Sequence, residues 1–231
     1  MRAGCRRSYV CGMTETTSTE RQASPASGAW LPILALAYDP FLWLGELAGM
    51  RSRRSALLNN ARGRVVEIGA GTGLNVAHYP EGIAELVLTE PEAAMRRRLA
   101  RRLRQHGRVA RILDAPAECL PLADASVDTV VSTLVLCTVD DPERTLREIA
   151  RVLRSDGQLL FIEHVRASSR WLAACQDKLL QPWRRFAGGC RCNYPTQDLM
   201  RACGFTISAD EGVWRGMPAI VHPLVVGRAA W

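Results

Sequence analysis

The sequence predicts an α/β protein: a Rossmann-like, seven-stranded, mostly parallel sheet with one antiparallel strand and helices on both faces. Two observations carry this expectation. Strand-like and helix-like segments alternate from Arg64 onward, the pattern of a parallel sheet covered on both sides. In addition, the β-branched run Val65-Val66-Glu67-Ile68 ends directly in Gly69-Ala70-Gly71-Thr72-Gly73, a strand-to-loop turn whose glycines free the backbone to approach a ligand. With 231 residues, 48% of them hydrophobic, the chain can bury one substantial core but not two full domains.

Taken in order, the first strand is expected at 65–68, with residues 74–79 opening a helix beneath the glycine series. The second covers 85–90, followed by a helix from about Pro91, since proline suits a first helical turn. A third lies near 109–113, before a loop over 114–122. The fourth, 127–133, is nearly continuous in β-branched residues, as burial on both faces requires. Asp141 then reads as an N-cap with Pro142 at the first helical position, and Leu146, Ile149, Val152 and Leu153 form the apolar stripe of the helix. A turn at 154–157 releases the chain into a fifth strand at 158–163. Residues 204–207 and 219–226 read as the last two strands.

The formal net charge of +7 raises nucleic acid or an anionic membrane as partners, but much of the excess sits in the run 96–104, which reads as a solvated helix face. The eight cysteines lack C-x-x-C spacing, and most read as reduced thiols of a cytosolic protein. Cys190 and Cys192, one residue apart, do not make a metal-ligand pattern, so no metal is expected. Residues 1–12 contain arginines without an apolar core and do not read as a secretory signal. The polar stretch 14–28 suits a flexible terminus beginning at an alternative initiator, Met13. Residues 29–50 are apolar but interrupted by Pro32, Asp39, Pro40 and Glu46, too broken for a membrane span. Two short helices around Tyr38-Asp39-Pro40 are expected there, their Trp30, Phe41 and Trp43 either covering a substrate pocket or packing on the core. This gives a disordered extension at 1–28, a helical cap at 29–60 and a main domain at 61–231, with a lid insertion near 168–196. Glycines 188 and 189, among Trp183 and Phe186, suit such a movable apolar cover.

The glycine series distinguishes two ligand classes. A dinucleotide loop wants G-x-G-x-x-G, with its third glycine where Leu74 stands, whereas here the glycine falls one place early. Glu67, two residues before the first glycine, would repel a pyrophosphate and attract the ammonium of a methionine moiety. That charge logic favours S-adenosylmethionine. Glu90, about twenty residues beyond the loop at the end of the second strand, lies at the separation nucleotide-binding folds use for a ribose-binding acid.

With these elements placed, roughly 61–228 resembles the class I S-adenosylmethionine-dependent methyltransferases, particularly the type 11 group. The pieces match in order: Val66 to Gly73, then Glu90, then Ala117-Glu118-Cys119-Leu120-Pro121-Leu122, Ser126 to Val131 and Glu148 to Gly157. A narrower resemblance, to the mammalian microsomal alkyl-thiol methyltransferases and their bacterial relatives, rests on Thr133 to Val139, Glu163-His164-Val165 and Gly188-Gly189-Cys190. Those relatives have an N-terminal hydrophobic anchor that 29–50 does not reproduce. The resemblance implies that Glu67, Gly69, Gly71 and Gly73 surround the methionine end of S-adenosylmethionine, Glu90 holds its ribose, Ala117 and Glu118 meet its adenine, and Leu134 packs along it. Pro116 departs from the group, which often has an aspartate there, leaving Glu118 the nearest side chain for the adenine amino group.

Methyl transfer from a sulfonium needs an acceptor held close, aligned and dry. His164, at the end of the fifth strand, is the candidate base if the acceptor is a thiol or hydroxyl. Glu163 would orient it or face the core, since neighbouring strand residues point oppositely. Cys137 is read as a small buried hydrophobe, because this chemistry needs no enzyme nucleophile. The expected activity is methylation of a small, lipophilic thiol, hydroxyl or amine by a cytoplasmic protein, with peripheral membrane contact compatible and nucleic acid disfavoured. An RNA methyltransferase and a non-catalytic S-adenosylmethionine-binding protein are the alternatives at this point.

Overall fold

A computed structural model describes residues 39–231. The expectations for 1–38, including the extension and Trp30, lie outside the described residues. Seven strands form one sheet: β1 (Arg64–Ile68), β2 (Glu85–Thr89), β3 (Arg111–Leu113), β4 (Val127–Thr133), β5 (Leu153–His164), β6 (Thr206–Val213) and β7 (Pro223–Ala230). Their order is β3-β2-β1-β4-β5-β7-β6. The pairs from β3 through β5 are parallel, and β7 runs antiparallel to both neighbours. The sheet is thus the mostly parallel one expected, with a single reversed strand.

Among the described residues, a helical stretch at 39–45 and five further α-helices accompany it: α1 (Arg51–Leu58), α2 (Ala93–Gln105), α3 (Pro142–Val152), α4 (Arg170–Phe186) and α5 (Thr196–Ala202). Two apolar clusters cover the two faces. One unites Val66, Ile68, Val130 and Phe161 with Leu146, Ile149 and Val152 of α3. The other joins Val65, Leu88 and Ile162 to Leu99 of α2, Leu58 of α1 and Trp183 of α4. The α3 stripe follows the sequence directly: Leu146, Ile149 and Val152 are fully buried, each worth about 1.5–3 kcal/mol. Its start does too, because the Asp141 carboxylate accepts the Arg144 N–H at 2.9 Å and Pro142 opens the first turn.

Several local expectations change. Residues 74–79 form only a short 3₁₀ turn, Val76–His78. Pro80 disfavours helical geometry at Tyr79, and the Asn75 and Tyr79 side chains are turned inward onto Glu67. Asp39 and Pro40 lie within a helical stretch, 39–45, that continues through a π turn (Glu46–Met50) into α1. The break in this described part comes at Gly49, whose φ of 119° only glycine adopts easily. The fifth strand begins at Leu153, with a register shift against β4 between Val127 and Thr129, so 154–157 is a bulged strand segment rather than a separate turn. β3 is shortened to three residues, with Val109 exposed before it.

The arginine run is only partly a solvated face. Arg97, Arg101 and Arg104 are exposed, whereas Arg96 pairs with Asp114 at 2.8 Å and Arg102 with Asp39 at 2.7 Å. No helix among the described residues is long and apolar enough to cross a membrane.

Candidate active site

The carboxyl ends of β1, β2, β4 and β5 lie side by side, the edge at which open α/β sheets bind ligands. Glu67, Gly69, Gly71, Gly73, Glu90, Ala117, Glu118, Leu134 and His164 fall at that edge or on the loops leaving it. The structure divides them into two groups.

The first surrounds the glycine loop. Glu67 is buried, and both its oxygens are engaged: Asn75 Nδ2 donates to Oε1 at 2.8 Å and the Tyr79 hydroxyl to Oε2 at 2.6 Å. Asn75 Nδ2 also reaches Thr133 Oγ1 at 3.0 Å, tying β1 to the end of β4, while Asn75 Oδ1 accepts from Arg54 Nη1 at 2.8 Å. Arg54, itself buried, is paired with Glu46 at 3.0 Å. A continuous polar chain therefore runs from the N-terminal helix to the loop. Burial pushes the Glu67 carboxyl up to about 7, against the opposing hydrogen bonds from Tyr79 and Asn75.

Gly69, Gly71 and Gly73 all have positive φ, of 55°, 55° and 86°. A Cβ at Gly69 would meet Val135 Cγ2 at 2.8 Å and one at Gly73 would meet Leu99 Cδ1 at 2.6 Å, so those two glycines are demanded by packing. At Gly71 the nearest atom would be 4.0 Å away, leaving the outer side of the loop open. The Gly71 N–H donates to Glu90 Oε2 at 2.8 Å, and Glu92 N–H to Glu90 Oε1 at 2.9 Å. Burial raises the Glu90 carboxyl, partly offset by these two amides. Thr72 and Arg102 lock the loop to Asp39: Thr72 Oγ1 donates to Asp39 Oδ1 at 2.6 Å. A glycine turn with an open outer side, flanked by a buried carboxylate and a second acid at the end of β2, fits S-adenosylmethionine in the chemistry of its donors and in its backbone cradle.

Ala117 is buried in the loop after β3, and Glu118 is half-buried beside it. Its carboxylate accepts the Asp140 N–H at 3.1 Å, which joins this loop to the one before α3. Leu134 has φ of 61°, a strained left-handed conformation that costs about 1–3 kcal/mol in a side-chain-bearing residue. What holds it is Glu163. Its Oε1 accepts from Ser132 Oγ at 2.6 Å and from the N–H groups of Val135 and Leu136 at 3.0 and 3.1 Å, and the Leu134 N–H donates to Ile162 O at 2.8 Å. Glu163 thus faces away from His164 and caps the turn after β4. Burial raises its carboxyl, with Ser132 and the two amides opposing.

The second group is one that spacing did not reveal. His164 Nδ1 lies 3.5 Å from Cys137 Sγ and 3.5 Å from Cys190 Sγ, and the two sulfurs are 3.7 Å apart. All three side chains are buried. The hydrogen bond between the thiols, with burial adding to the rise at Cys137, pulls the two sulfurs apart in acidity, raising Cys137 well above its ordinary range and lowering Cys190 well below it. The cluster is assembled by three ties: Glu163 fixes the turn bearing Cys137, Arg191 N–H donates to Cys137 O at 2.7 Å, and Thr196 Oγ1 donates to His164 O at 2.8 Å. Trp214 stacks on the imidazole at a centroid distance of 5.6 Å. Trp183 packs in the same cluster and meets Phe41, which also touches Phe186 at 5.2 Å. Around this centre the Nε2 of His164 and the Nε1 atoms of Trp183 and Trp214 have no hydrogen-bond partner among the described residues. Five described cysteines, Cys137, Cys175, Cys190, Cys192 and Cys203, carry free thiols.

A family model of methyltransferase domains matches residues 66–161. A human protein named thiol S-methyltransferase TMT1B is 34% identical over 179 residues, covering 71% of this chain and 72% of that protein. The rat protein of that name is 31% identical over 222 residues, covering 87% of this chain and 89% of its own. Among solved structures, a SAM-dependent methyltransferase from Thermotoga maritima superposes with a TM-score of 0.65 at 26% identity, over 87% of this chain and 99% of that one.

Proposed function

The chain belongs to the class I S-adenosylmethionine-dependent methyltransferases, and on that footing we propose that its acceptor is a small lipophilic thiol. One observation carries the acceptor reading: beside the glycine loop, at the ends of β4 and β5, the chain builds a centre that is apolar and aromatic apart from two thiols and an imidazole. The relatives named thiol S-methyltransferases support the same choice.

S-adenosylmethionine supplies an electrophilic methyl on its sulfonium. Glu67 provides negative charge for the methionine ammonium, with Asn75 and Tyr79 holding it in place. Gly69, Gly71 and Gly73 keep the turn narrow enough for close approach, and Glu90 exchanges its two backbone amides for the ribose hydroxyls. Ala117 and Glu118 border the adenine. Leu134, displaced from normal backbone geometry, lies between this half and the acceptor centre. His164 is the nitrogen base at the acceptor end.

The helical segment 39–58 and α4 serve as cap and lid. Phe41, Trp183 and Phe186 bring them into contact, and Trp43, Leu44 and Leu47 leave an exposed apolar rim suited to a lipophilic acceptor or to transient contact with a membrane surface. We place the protein in the cytoplasm.

The test is a methyl-transfer assay across alkyl thiols, phenols, quinols and aminolipids. Turnover of alkyl thiols at least about tenfold above the other classes is expected, a difference of about 1.4 kcal/mol in the barrier. Preference for any other class overturns the reading.

A further inference from the structure

Cys137, His164 and Cys190 come together at one point from three separate segments, and no fourth His, Cys, Asp or Glu among the described residues joins them. Their mutual distances are specific. Zinc bonds of about 2.3 Å to sulfur and about 2.0–2.1 Å to nitrogen, at tetrahedral angles, require a sulfur–sulfur edge of about 3.8 Å and sulfur–nitrogen edges of about 3.6 Å. The observed edges are 3.7, 3.5 and 3.5 Å. All three edges match the face of one metal tetrahedron to within about 0.1 Å, and they come from three segments distant in sequence.

We propose that Cys137, Cys190 and His164 Nδ1 bind a zinc ion whose fourth position receives the acceptor thiol. Structural zinc sites are closed by four protein ligands, and sites that act on a substrate keep three and an open position. The ligand set here, two cysteines and a histidine, is of the second kind. Its softness suits zinc over magnesium or calcium, which prefer oxygen. His164 then acts through the ion: Nδ1 is the ligand and Nε2 carries the proton. The surroundings are suited to holding such a group dry, with Trp214 stacked on the imidazole and Trp183 packed in the same cluster.

The proposal rests on the thiol reading and moves the task of ionising the acceptor from a free His164 imidazole to the metal that His164 would hold. On coordination the acceptor S–H gives its proton to solvent and its sulfur bonds the metal as a thiolate, since a coordinated thiol is held deprotonated. A sulfur lone pair then forms the new carbon–sulfur bond as the methyl–sulfonium bond breaks, leaving two neutral thioethers. The methylated product is a weaker ligand and departs. No oxidant or further reactant is involved.

The experiment separates this inference from the thiol reading by measuring metal before activity. The reduced full-length chain, equilibrated with zinc and desalted, should retain about one zinc ion per chain. Cys137→Ser, Cys190→Ala and His164→Ala should each lower that content at least about tenfold, as loss of a direct ligand does, while Cys203→Ser leaves it unchanged. Should a ligand variant fail to fold, chelation of the unaltered protein takes its place, with S-adenosylmethionine binding as the measure of an intact fold. Cobalt in place of zinc should give thiolate-to-metal charge-transfer and tetrahedral bands, and adding an alkyl thiol should shift them. Absence of retained metal, or a Cys137–Cys190 disulfide in the reduced protein, overturns the metal site. Bound cobalt whose spectrum ignores the thiol overturns its acceptor role. Full thiol methylation by a metal-free, chelated enzyme defeats this inference and leaves the thiol reading standing. Bound metal with turnover confined to phenols or amines defeats the thiol reading.

Discussion

The two halves of the site are built on opposite economies. Around the glycine loop, polar side chains satisfy one another: Glu46, Arg54, Asn75, Glu67 and Tyr79 form one hydrogen-bonded chain, and Glu90 accepts two amides. Around His164, three ring nitrogens are buried without a partner among the described residues, and one carboxylate, Glu163, supports the turn that carries Cys137. A preformed donor half, with Glu67 and Glu90 both hydrogen-bonded, fixes where the methyl is presented, since its geometry is held before any ligand arrives. An acceptor half with unspent polar atoms in apolar surroundings has partners still to find.

Removing Glu163 is the strongest way to break this contrast. Glu163→Ala leaves Ser132 Oγ and the amides of Val135 and Leu136 without their acceptor in a buried turn, a loss of about 3–5 kcal/mol at about 1–3 kcal/mol for each orphaned group, softened by relaxation. Denaturant unfolding measures it. Glu163→Gln, which keeps one acceptor oxygen, should recover at least half. A cost below about 1 kcal/mol would mean that the acceptor half does not depend on this carboxylate.

Legibility in the sequence follows the same division. The glycine turn, Glu67 and Glu90 could be read because each sits at a fixed distance from a strand end, and Asp141-Pro142 because a helix cap is local chemistry. Asn75 and Tyr79 are only 8 and 12 residues from Glu67, yet 74–79 reads as the opening of a helix until Pro80 and the pull of the buried carboxylate are considered. Cys137, His164 and Cys190 had no such signal. They are 27 and 26 residues apart, and the parallel pairing of β4 with β5 and the loop anchored by Arg191 are what unite them. The pair that spacing did offer, Cys190 and Cys192, contributes only one member. The register shift in β4 and β5 was hidden for a similar reason, because Arg154-Ser155-Asp156-Gly157 has turn composition and pairing overrides it.

Acidity sharpens the donor side. The Glu67 carboxyl titrates at about 7 in the fold against 4.5 when free, so between these values the native state holds a proton that the unfolded chain has released. Its contribution is fully present below 4.5 and is lost as pH rises through about 7, a decline of about 3 kcal/mol for a shift of this size. Glu67→Gln should remove that decline, so the stability of the variant relative to the parent rises from pH 4.5 to pH 7.5 in cofactor-free protein. Equal slopes for the two proteins would place the titration elsewhere.

A smaller effect is expected at Glu90. Glu90→Ala removes an acceptor from the Gly71 and Glu92 amides, which can turn to solvent, and takes away the ribose acid. S-adenosylmethionine affinity should fall about 10–100-fold, or about 1.4–2.7 kcal/mol, by calorimetry, with thermal stability changing less. Unchanged affinity would separate Glu90 from the cofactor altogether.

The smallest effect belongs to the contact between the N-terminal helix and the loop. Asp39 pairs with Arg102 at 2.7 Å and more distantly with Arg98 at 3.9 Å, while its other oxygen accepts the Thr72 hydroxyl at 2.6 Å. These side chains are partly exposed, where solvent screening holds an ion pair to less than about 1 kcal/mol. Asp39→Asn retains an acceptor for Thr72 and loses only the charge, so stability should change by about 0.5 kcal/mol and cofactor affinity by less than about threefold. The reason it should be so small is that the loop is already fixed from within by Gly69 against Val135 and Gly73 against Leu99. A tenfold loss of affinity would instead make the donor half as dependent on its neighbours as the acceptor half is on Glu163, and the contrast between a finished and an unfinished half would fall.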